Sequence, residues 1–313
     1  MRWQTVWAAC ESDERVARLA VAGPDVVVVA DKGGAIQARR AGDGSPVAAP
    51  TYTGIPGIVG LAAWRDGAAV RVATGAGSRH KSHRWLQRWD LVAREEIQPA
   101  IDFNSMRVKH IYSAVVGGEQ VLVVVHRGVL AIRRVTDGSV AAEVVKHRET
   151  SRVVLGSVDG EPIAISSSHE RHAQLFRLAD LVAPERLPAG RDGEFVDAMA
   201  GTRLLCGSYA EPWDAWRTAW ARDLSGNRLG PEVTGEVITA VAIAEWPAVY
   251  IARADRTVSL IDMESGAELC PALRLPARAR SLAVMADAAG SRERPDVVVG
   301  FGLEVARFRP PSP

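Results

Sequence analysis

The sequence is short of almost every feature that marks a specialised chain. Of its 313 residues only Cys10, Cys206 and Cys270 are cysteine. An odd set without short spacings builds neither a disulfide framework nor a Cys-x-x-Cys metal site, and is read as buried thiols in a reducing compartment. Aromatic residues make up only 6% of the chain. A formal net charge of +1 removes the usual electrostatic ground for non-specific binding to nucleic acid or anionic membranes. No apolar run approaches the roughly 20 residues of a membrane span. The opening MRWQTVWAACESDERVARLAV has no unbroken apolar core behind a basic leader. Cytoplasmic residence is the resulting expectation, with no membrane and no nucleic acid among the partners. Runs long enough for ordinary helices are missing too, because turn-forming residues cut each apolar segment short.

What the chain has is repetition. The 47% apolar content is enough for an extensive core. In the stretch 237–276, apolar residues cluster at 238–243, 248–252 and 258–261, with a weaker run at 269–275; turn formers occupy 245–247, 253–256 and 264–266. Four short strands joined by short turns read as an antiparallel meander. The unit recurs at approximately 15–50, 55–98, 107–147, 150–190, 194–234, 237–276 and 279–309, a period of about 40–45 residues. Its last copy offers three strands, while an isolated strand at 3–9 precedes the first copy. The expected fold is therefore all-β: a seven-bladed β-propeller of four-stranded antiparallel blades, one domain spanning 1–313, its last blade closed by the N-terminal strand.

The third strands end in a recurring pattern: RWDL at 88–91, RLADL at 177–181, ARDL at 221–224 and LIDMESGAEL at 260–269. This resembles the WD-repeat family in a degenerate bacterial form. Asp31 and Asp255 stand where that family places a structural Asp between the second and third strands. Quinoprotein-like and lactonase-like propellers remain alternatives. The resemblance implies a scaffold for protein–protein interaction rather than chemistry. Asp90, Asp180, Asp223 and Asp262 recur at strand ends, where hydrogen bonds within turns account for them.

In a propeller the second-to-third-strand turns share one face with the loops between blades. The longest insertions expected there are 75–84 and 208–215, joined by 166–172 and 126–128. Two of these loops carry histidines three apart, His80 with His83 and His169 with His172. Such pairs chelate Zn²⁺ where the backbone turns suitably, but Lys81, Arg84 and Arg171 oppose a cation, so neither metal nor cofactor is assigned. Arg79, Lys81 and Arg84, with Arg88, form the densest basic patch and suit an acidic protein segment. Tyr209 and Trp213 fall in the 208–215 insertion and read as an exposed aromatic contact. Trp216 and Trp220 share strand parity, and Trp85 and Trp89 repeat that spacing, so these are expected in the core.

Catalytic constellations are not found in the sequence. Asp102 and Glu211 have no identifiable partner for acid–base work, and residues 166–168 beside His169 are not a nucleophile elbow. The glycine pairs 33–34 and 117–118 sit at hairpin turns and not before helices. The expectation is a non-catalytic scaffold that binds a protein or peptide through Arg79, His80, Lys81, His83, Arg84, His169, His172, Tyr209 and Trp213. The alternative is a propeller enzyme, or a metal-dependent protein that binds a small molecule at the channel mouth.

Overall fold

A computed structural model describes residues 2–10, 14–76, 85–102, 108–126, 128–145, 152–168, 171–181, 184–188, 194–210, 215–233, 235–243, 246–285 and 294–312. Every named element among them is a β-strand. No helix among them is long and apolar enough to cross a membrane.

Strand β1 (Gln4–Cys10) precedes the repeats. The first repeat supplies β2 (Val16–Ala22), β3 (Val26–Asp31), β4 (Ala35–Arg40) and β5 (Thr51–Tyr52). The second supplies β6 (Ile58–Asp66), β7 (Ala69–Ala76), β8 (Trp85–Asp90) and β9 (Glu95–Asp102). Then come β10 (Val108–Val116), β11 (Glu119–His126), β12 (Val129–Arg134) and β13 (Val140–Val145). The fourth repeat holds β14 (Arg152–Val158), β15 (Glu161–Ser168), β16 (Arg171–Arg177) and β17 (Glu185–Arg186). The fifth has β18 (Glu194–Ala200), β19 (Arg203–Ala210) and β20 (Ala215–Asp223), and the sixth β21 (Val237–Ala242), β22 (Ala248–Arg253), β23 (Thr257–Asp262) and β24 (Leu273–Arg274). The last has β25 (Ala279–Met285), β26 (Asp296–Phe301) and β27 (Glu304–Arg309).

Each repeat pairs its strands in chain order, and the last sheet runs β1-β27-β26-β25, so the N-terminal strand is its outer strand as expected. Two outer segments are cut short. In the fifth repeat, the segment 228–233 is reduced to the bridges Ala219↔Val233 and Arg222↔Arg228, because Pro231 has no N–H to give to a ladder. A single rung, Trp216↔Val237, then joins the fifth and sixth repeats into one seven-stranded sheet. In the first repeat the outer strand is only Thr51–Tyr52 and follows the segment between Pro46 and Pro50.

The chain divides into two compact units. One comprises Trp3–Glu143 and Ala283–Ser312. Within it, Trp7, Val16, Val29, Met285, Val298 and Val305 pack the last sheet on the first. Val28, Ile36, Ala63, Val72 and Trp89 join the first sheet to the second, and Trp64, Leu86, Ile111, Leu122 and Val124 join the second to the third. The other unit is built around Val144–Leu282. There Ile163, Ile165, Leu187, Val196 and Trp220 pack the fourth sheet on the fifth, and Leu205, Ala221, Val249, Ile251 and Ile261 pack the fifth on the sixth. Middle strands are thus covered on both faces. That is why β3 (VVVVAD) and β26 (DVVVGF), buried at every position, read as unbroken apolar runs and not as alternations. Each fully buried Val or Ile stabilises by roughly 1.5–3 kcal/mol.

One turn recurs after the third strand. Its left-handed residue is Gly44 (φ 72°), Arg94 (61°), Gly138 (75°), Leu181 (47°), Gly226 (90°) or Gly266 (69°). In four of these turns that residue donates its N–H to the carbonyl four positions back: Gly44 to Arg40 at 2.9 Å, Gly138 to Arg134 at 3.0 Å, Leu181 to Arg177 at 3.0 Å and Gly266 to Asp262 at 2.9 Å. The outer segment of the preceding sheet packs there. Trp7 lies against Gly44 and Ile101 against Gly138 in the first unit; Pro188 lies against Gly226 and Pro231 against Gly266 in the second.

Candidate interaction surface

The second-to-third-strand turns differ most in how far their hairpins run. Two of the short ones are held by carboxylates. Asp31 Oδ1 accepts from Ala35 N at 2.8 Å, and Asp255 Oδ1 accepts from Thr257 N at 3.0 Å and Thr257 Oγ1 at 2.6 Å. The Thr257 hydroxyl bond is the main cause holding the Asp255 carboxyl below its ordinary range. Both aspartates that prompted the family resemblance therefore fasten turns.

The β19–β20 hairpin is longer. Its last rung shared with β18 is Glu194↔Ser208, yet β19 and β20 continue through Tyr209↔Trp216 and Ala210↔Ala215 after a register step. Tyr209, expected in an inserted loop, is thus a strand residue, and the connection shrinks to 211–214. Backbone N–H and C=O groups satisfy one another across the two strands as far as the register allows. The same step interrupts the alternation that would relate Trp216 to Trp220. Trp220 itself is buried, as is Trp89.

The β15–β16 hairpin runs one rung, Ser168↔Arg171, past the Arg152↔Ser167 rung of β14. His172 consequently lies in β16 and not in a loop. Of the other expected contact residues, Arg79, His80, Lys81, His83, Arg84, His169 and Trp213 lie outside the described residues. The structure thus brings Tyr209 and Trp216 to one rung at the end of the fifth sheet and places His172 near the end of the fourth.

Beneath these hairpins is a charged cluster with no short-range signature in the sequence. Arg222 Nε lies 2.6 Å from Glu194 Oε1 and donates to Cys206 Sγ at 3.3 Å. Burial pushes the Cys206 thiol well up, and Glu194 pushes it further, so it stays protonated and serves as packing and acceptor. Nearby, Val196 N donates to Ser167 Oγ at 3.1 Å, and Arg152 forms an ion pair with Asp197, so the fourth and fifth sheets are tied at this end.

Another feature missed by sequence reasoning is a bulge in the first strand of five repeats. Registers step between Val16 and Arg18, Ile58 and Gly60, Val108 and His110, Val196 and Ala198, and Val237 and Thr239. A bulge adds one residue and re-aims it; here the added residues are Ala17, Val59, Lys109, Asp197 and Ile238. The Val59 carbonyl accepts from Arg18 Nε at 2.9 Å.

On the first sheet, a shallow hollow is lined by Val29, Asp31, Ala35, Ile36, Gln37 and Pro50. Tyr52, paired with Ala35, is 73% exposed. Among the described residues, no group of three or more His, Cys, Asp or Glu is placed to hold a metal ion.

No family model matches the chain, and no curated protein matches it. Among solved structures, it is similar to the crystal structure of the WD40 β-propeller domain of Doa1. The TM-score is 0.65 at 14% identity, over 98% of this chain and 96% of that one. At that identity the likeness establishes the fold. The chain is an all-β, seven-bladed β-propeller of four-stranded antiparallel blades, and its last blade is completed by the N-terminal strand.

Proposed function

We propose that this propeller is a non-catalytic scaffold of degenerate WD-repeat type that binds a protein or peptide through the ends of its second-to-third-strand hairpins. The observation that carries the reading is the β19–β20 hairpin, which continues two rungs past β18 with Tyr209 and Trp216 opposite each other. The rung lies past the end of β18, and large aromatic residues bury much area at low entropic cost, the usual chemistry of a binding hot spot. The basic residues of the 75–84 connection, Arg79, Lys81 and Arg84, would complement an acidic segment, while His80, His83, His169 and His172 contribute hydrogen bonds. Cytoplasmic residence belongs to the same proposal and is supported by thiols at Cys10, Cys206 and Cys270 that form no disulfide.

The test is affinity purification with the wild-type chain and a Tyr209→Ala, Trp213→Ala double variant. Recovery of a specific partner is expected to fall at least tenfold with the variant, the scale of losing a hot-spot pair. Undiminished recovery of every specific partner would overturn the assignment. Purification in zinc-containing buffer followed by elemental analysis addresses the paired histidines, with no stoichiometric metal expected.

A further inference from the structure

We propose that the Asp159–Gly160 turn between β14 and β15 is a site of spontaneous covalent modification, where the aspartate rearranges to isoaspartate through a cyclic imide. Asp-Gly pairs stand at 43–44, 66–67, 137–138, 159–160 and 192–193, the last outside the described residues. Glycine puts no Cβ beside its own N–H, so an aspartate before it is open to attack by that nitrogen. Val158↔Glu161 is the last rung of the β14–β15 hairpin, and Asp159 (φ 52°) and Gly160 (81°) are both left-handed, as a two-residue hairpin turn of this twist requires. In such a turn the closing hydrogen bond joins the two rung residues, which leaves the Gly160 N–H out of the ladder. Asp159 and Gly160 are exposed, and a Cβ added at Gly160 would meet nothing within 4 Å. Among the described residues, no hydrogen bond or ion pair engages the Asp159 carboxyl.

The other described pairs are restrained at the atoms that would have to react. Asp43 Oδ1 accepts from Ser45 N at 2.9 Å and Ser45 Oγ at 2.7 Å, and Asp137 Oδ1 accepts from Ser139 N and Oγ at the same distances. These bonds hold both carboxyls below their ordinary value and therefore ionised, the form from which oxygen leaves poorly. The nitrogens are engaged as well. Gly44 N donates to the Arg40 carbonyl at 2.9 Å and Gly138 N to the Arg134 carbonyl at 3.0 Å, with Trp7 and Ile101 packed on the two glycines. At 66–67 the glycine is open, but Asp66 Oδ2 lies 3.5 Å from Arg71 Nε. Asp159 carries none of these restraints. The rearrangement needs only water. Gly160 N gives up its proton and bonds to Asp159 Cγ while a hydroxyl leaves that carbon, so one water is released and a five-membered imide closes. Water then adds to the Asp159 main-chain carbonyl carbon and breaks its bond to nitrogen, and the chain runs on through Cβ and Cγ. Composition is unchanged, with one more carbon in the backbone of the turn. The site shares no residue with the binding hairpins proposed above, and neither reading needs the other.

The experiment incubates the folded full chain for several weeks at mildly acidic pH and physiological temperature, beside a sample in urea, and maps both by protease digestion and mass spectrometry. Aspartyl and isoaspartyl peptides have equal mass, separate by chromatography and are told apart by electron-transfer fragmentation. In the folded chain, isoaspartate is expected to be at least tenfold more abundant at 159 than at 43 or 137, and more abundant than at 66. In urea, where only local sequence acts, the four positions should be alike. Asp159→Asn suits the same turn and should pass through the same imide faster, because ammonia leaves more readily, so it accumulates aspartate and isoaspartate in the folded chain. The proposal is overturned if the folded chain forms as little isoaspartate at 159 as at 43 and 137, if the ranking in urea matches the folded one, or if Asp159→Asn stays intact.

Discussion

Trp7 and Arg307, opposite each other on the β1–β27 rung, donate to the same acceptor. Trp7 Nε1 reaches the Ala41 carbonyl oxygen at 2.7 Å and Arg307 Nη1 reaches it at 2.8 Å. Arg307 is held in turn by buried Asp296, with Nε and Nη2 each 2.7 Å from Oδ2. The same joint recurs between the second and third sheets. There Arg88 Nη1 donates to the Val135 carbonyl at 3.0 Å, and Ile101 takes the place of Trp7 against the turn glycine. Ala41 and Val135 are equivalent, since they lie in the related stretches RRAGDGS (39–45) and RRVTDGS (133–139). Closure therefore uses an ordinary joint between blades, with β1 supplying what a fourth strand supplies elsewhere.

Deleting residues 1–9 should accordingly cost far more stability than deleting 310–313. The first removes all but Cys10 of the seven-residue outer strand, buried Trp7 included. Trp7→Ala alone should cost about 3–5 kcal/mol, the range for truncating a large buried aromatic. Urea unfolding midpoints measure both. Equal midpoints for the two deletions would count against closure by β1.

The left-handed turn position separates two substitutions of opposite sign. At Gly44 a Cβ would lie 2.6 Å from Trp7 Cδ2 at a φ of 72°, so Gly44→Ala should destabilise by about 2–3 kcal/mol through backbone strain and displacement of the ring. At Arg94, φ is 61° and the side chain makes only a 3.5 Å contact with the Pro50 carbonyl. Arg94→Gly should stabilise by about 0.5–1 kcal/mol by releasing that strain. Chemical denaturation of the two variants beside the wild type gives both signs. A gain at Gly44 or a loss at Arg94 would show that packing, not backbone conformation, governs the position.

The blade rhythm is legible in the sequence because each buried run stops at a residue with a turn to make. Asp90 Oδ1 accepts from Val92 N at 2.9 Å and Ala93 N at 3.0 Å, and Asp262 Oδ1 accepts from Ser265 N at 2.7 Å, as their recurrence at strand ends implies. The bulge at Asp197 is not legible. Slipping a strand by one residue depends on how its sheet meets the neighbouring ones, and an apolar pattern tolerates either register. Arg94 and Leu181 are hidden for a related reason: four of the six equivalent turns use glycine, and nothing local marks an Arg or a Leu as left-handed. Glu194 and Arg222 meet only through sheet topology. As for the contact residues, the hairpins that carry them could be counted from the spacing of apolar runs, but the length of β19–β20 could not. A paired rung and an open loop have the same composition.

Acid should weaken the fold through its turn carboxylates. Asp43 Oδ1 accepts from Ser45 N at 2.9 Å and Ser45 Oγ at 2.7 Å, and Asp137 Oδ1 accepts from Ser139 N at 2.9 Å and Ser139 Oγ at 2.7 Å. Both carboxyls are held below their ordinary value of 3.8, Asp43 chiefly by the Ser45 hydroxyl and Asp137 chiefly by the Ser139 backbone N–H. With the folded value below the unfolded one, the contribution is complete above the ordinary carboxylate range and disappears as pH falls through the lowered values. A Ser45→Ala, Ser139→Ala variant should be less stable than the wild type above the ordinary carboxylate range and converge with it as pH falls through the lowered values. A stability difference independent of pH would remove the turns from the acid response.

The Glu194–Arg222–Cys206 cluster makes a prediction in which breaking and replacing differ. The Arg222 and Glu194 side chains are 3% and 8% exposed, so Arg222→Met leaves a carboxylate buried without its guanidinium. That should cost about 3–5 kcal/mol, whereas removing both charges with Arg222→Met and Glu194→Leu should recover much of the loss. The thiol reports on the same interior. Cys10 is exposed and Cys206 buried, and the Cys206 thiol is pushed well above its ordinary range by burial and by Glu194, with Arg222 opposing. At pH about 8 a thiol reagent should modify Cys10 of the folded wild type and reach Cys206 only in denaturant, because the thiolate is the reactive form and is scarce there. Arg222→Met should not make Cys206 more reactive in a folded protein, since it removes the one group that lowers the thiol. Faster modification without loss of far-ultraviolet circular dichroism would mean that the cluster holds a reactive thiol in check, contrary to a role in packing.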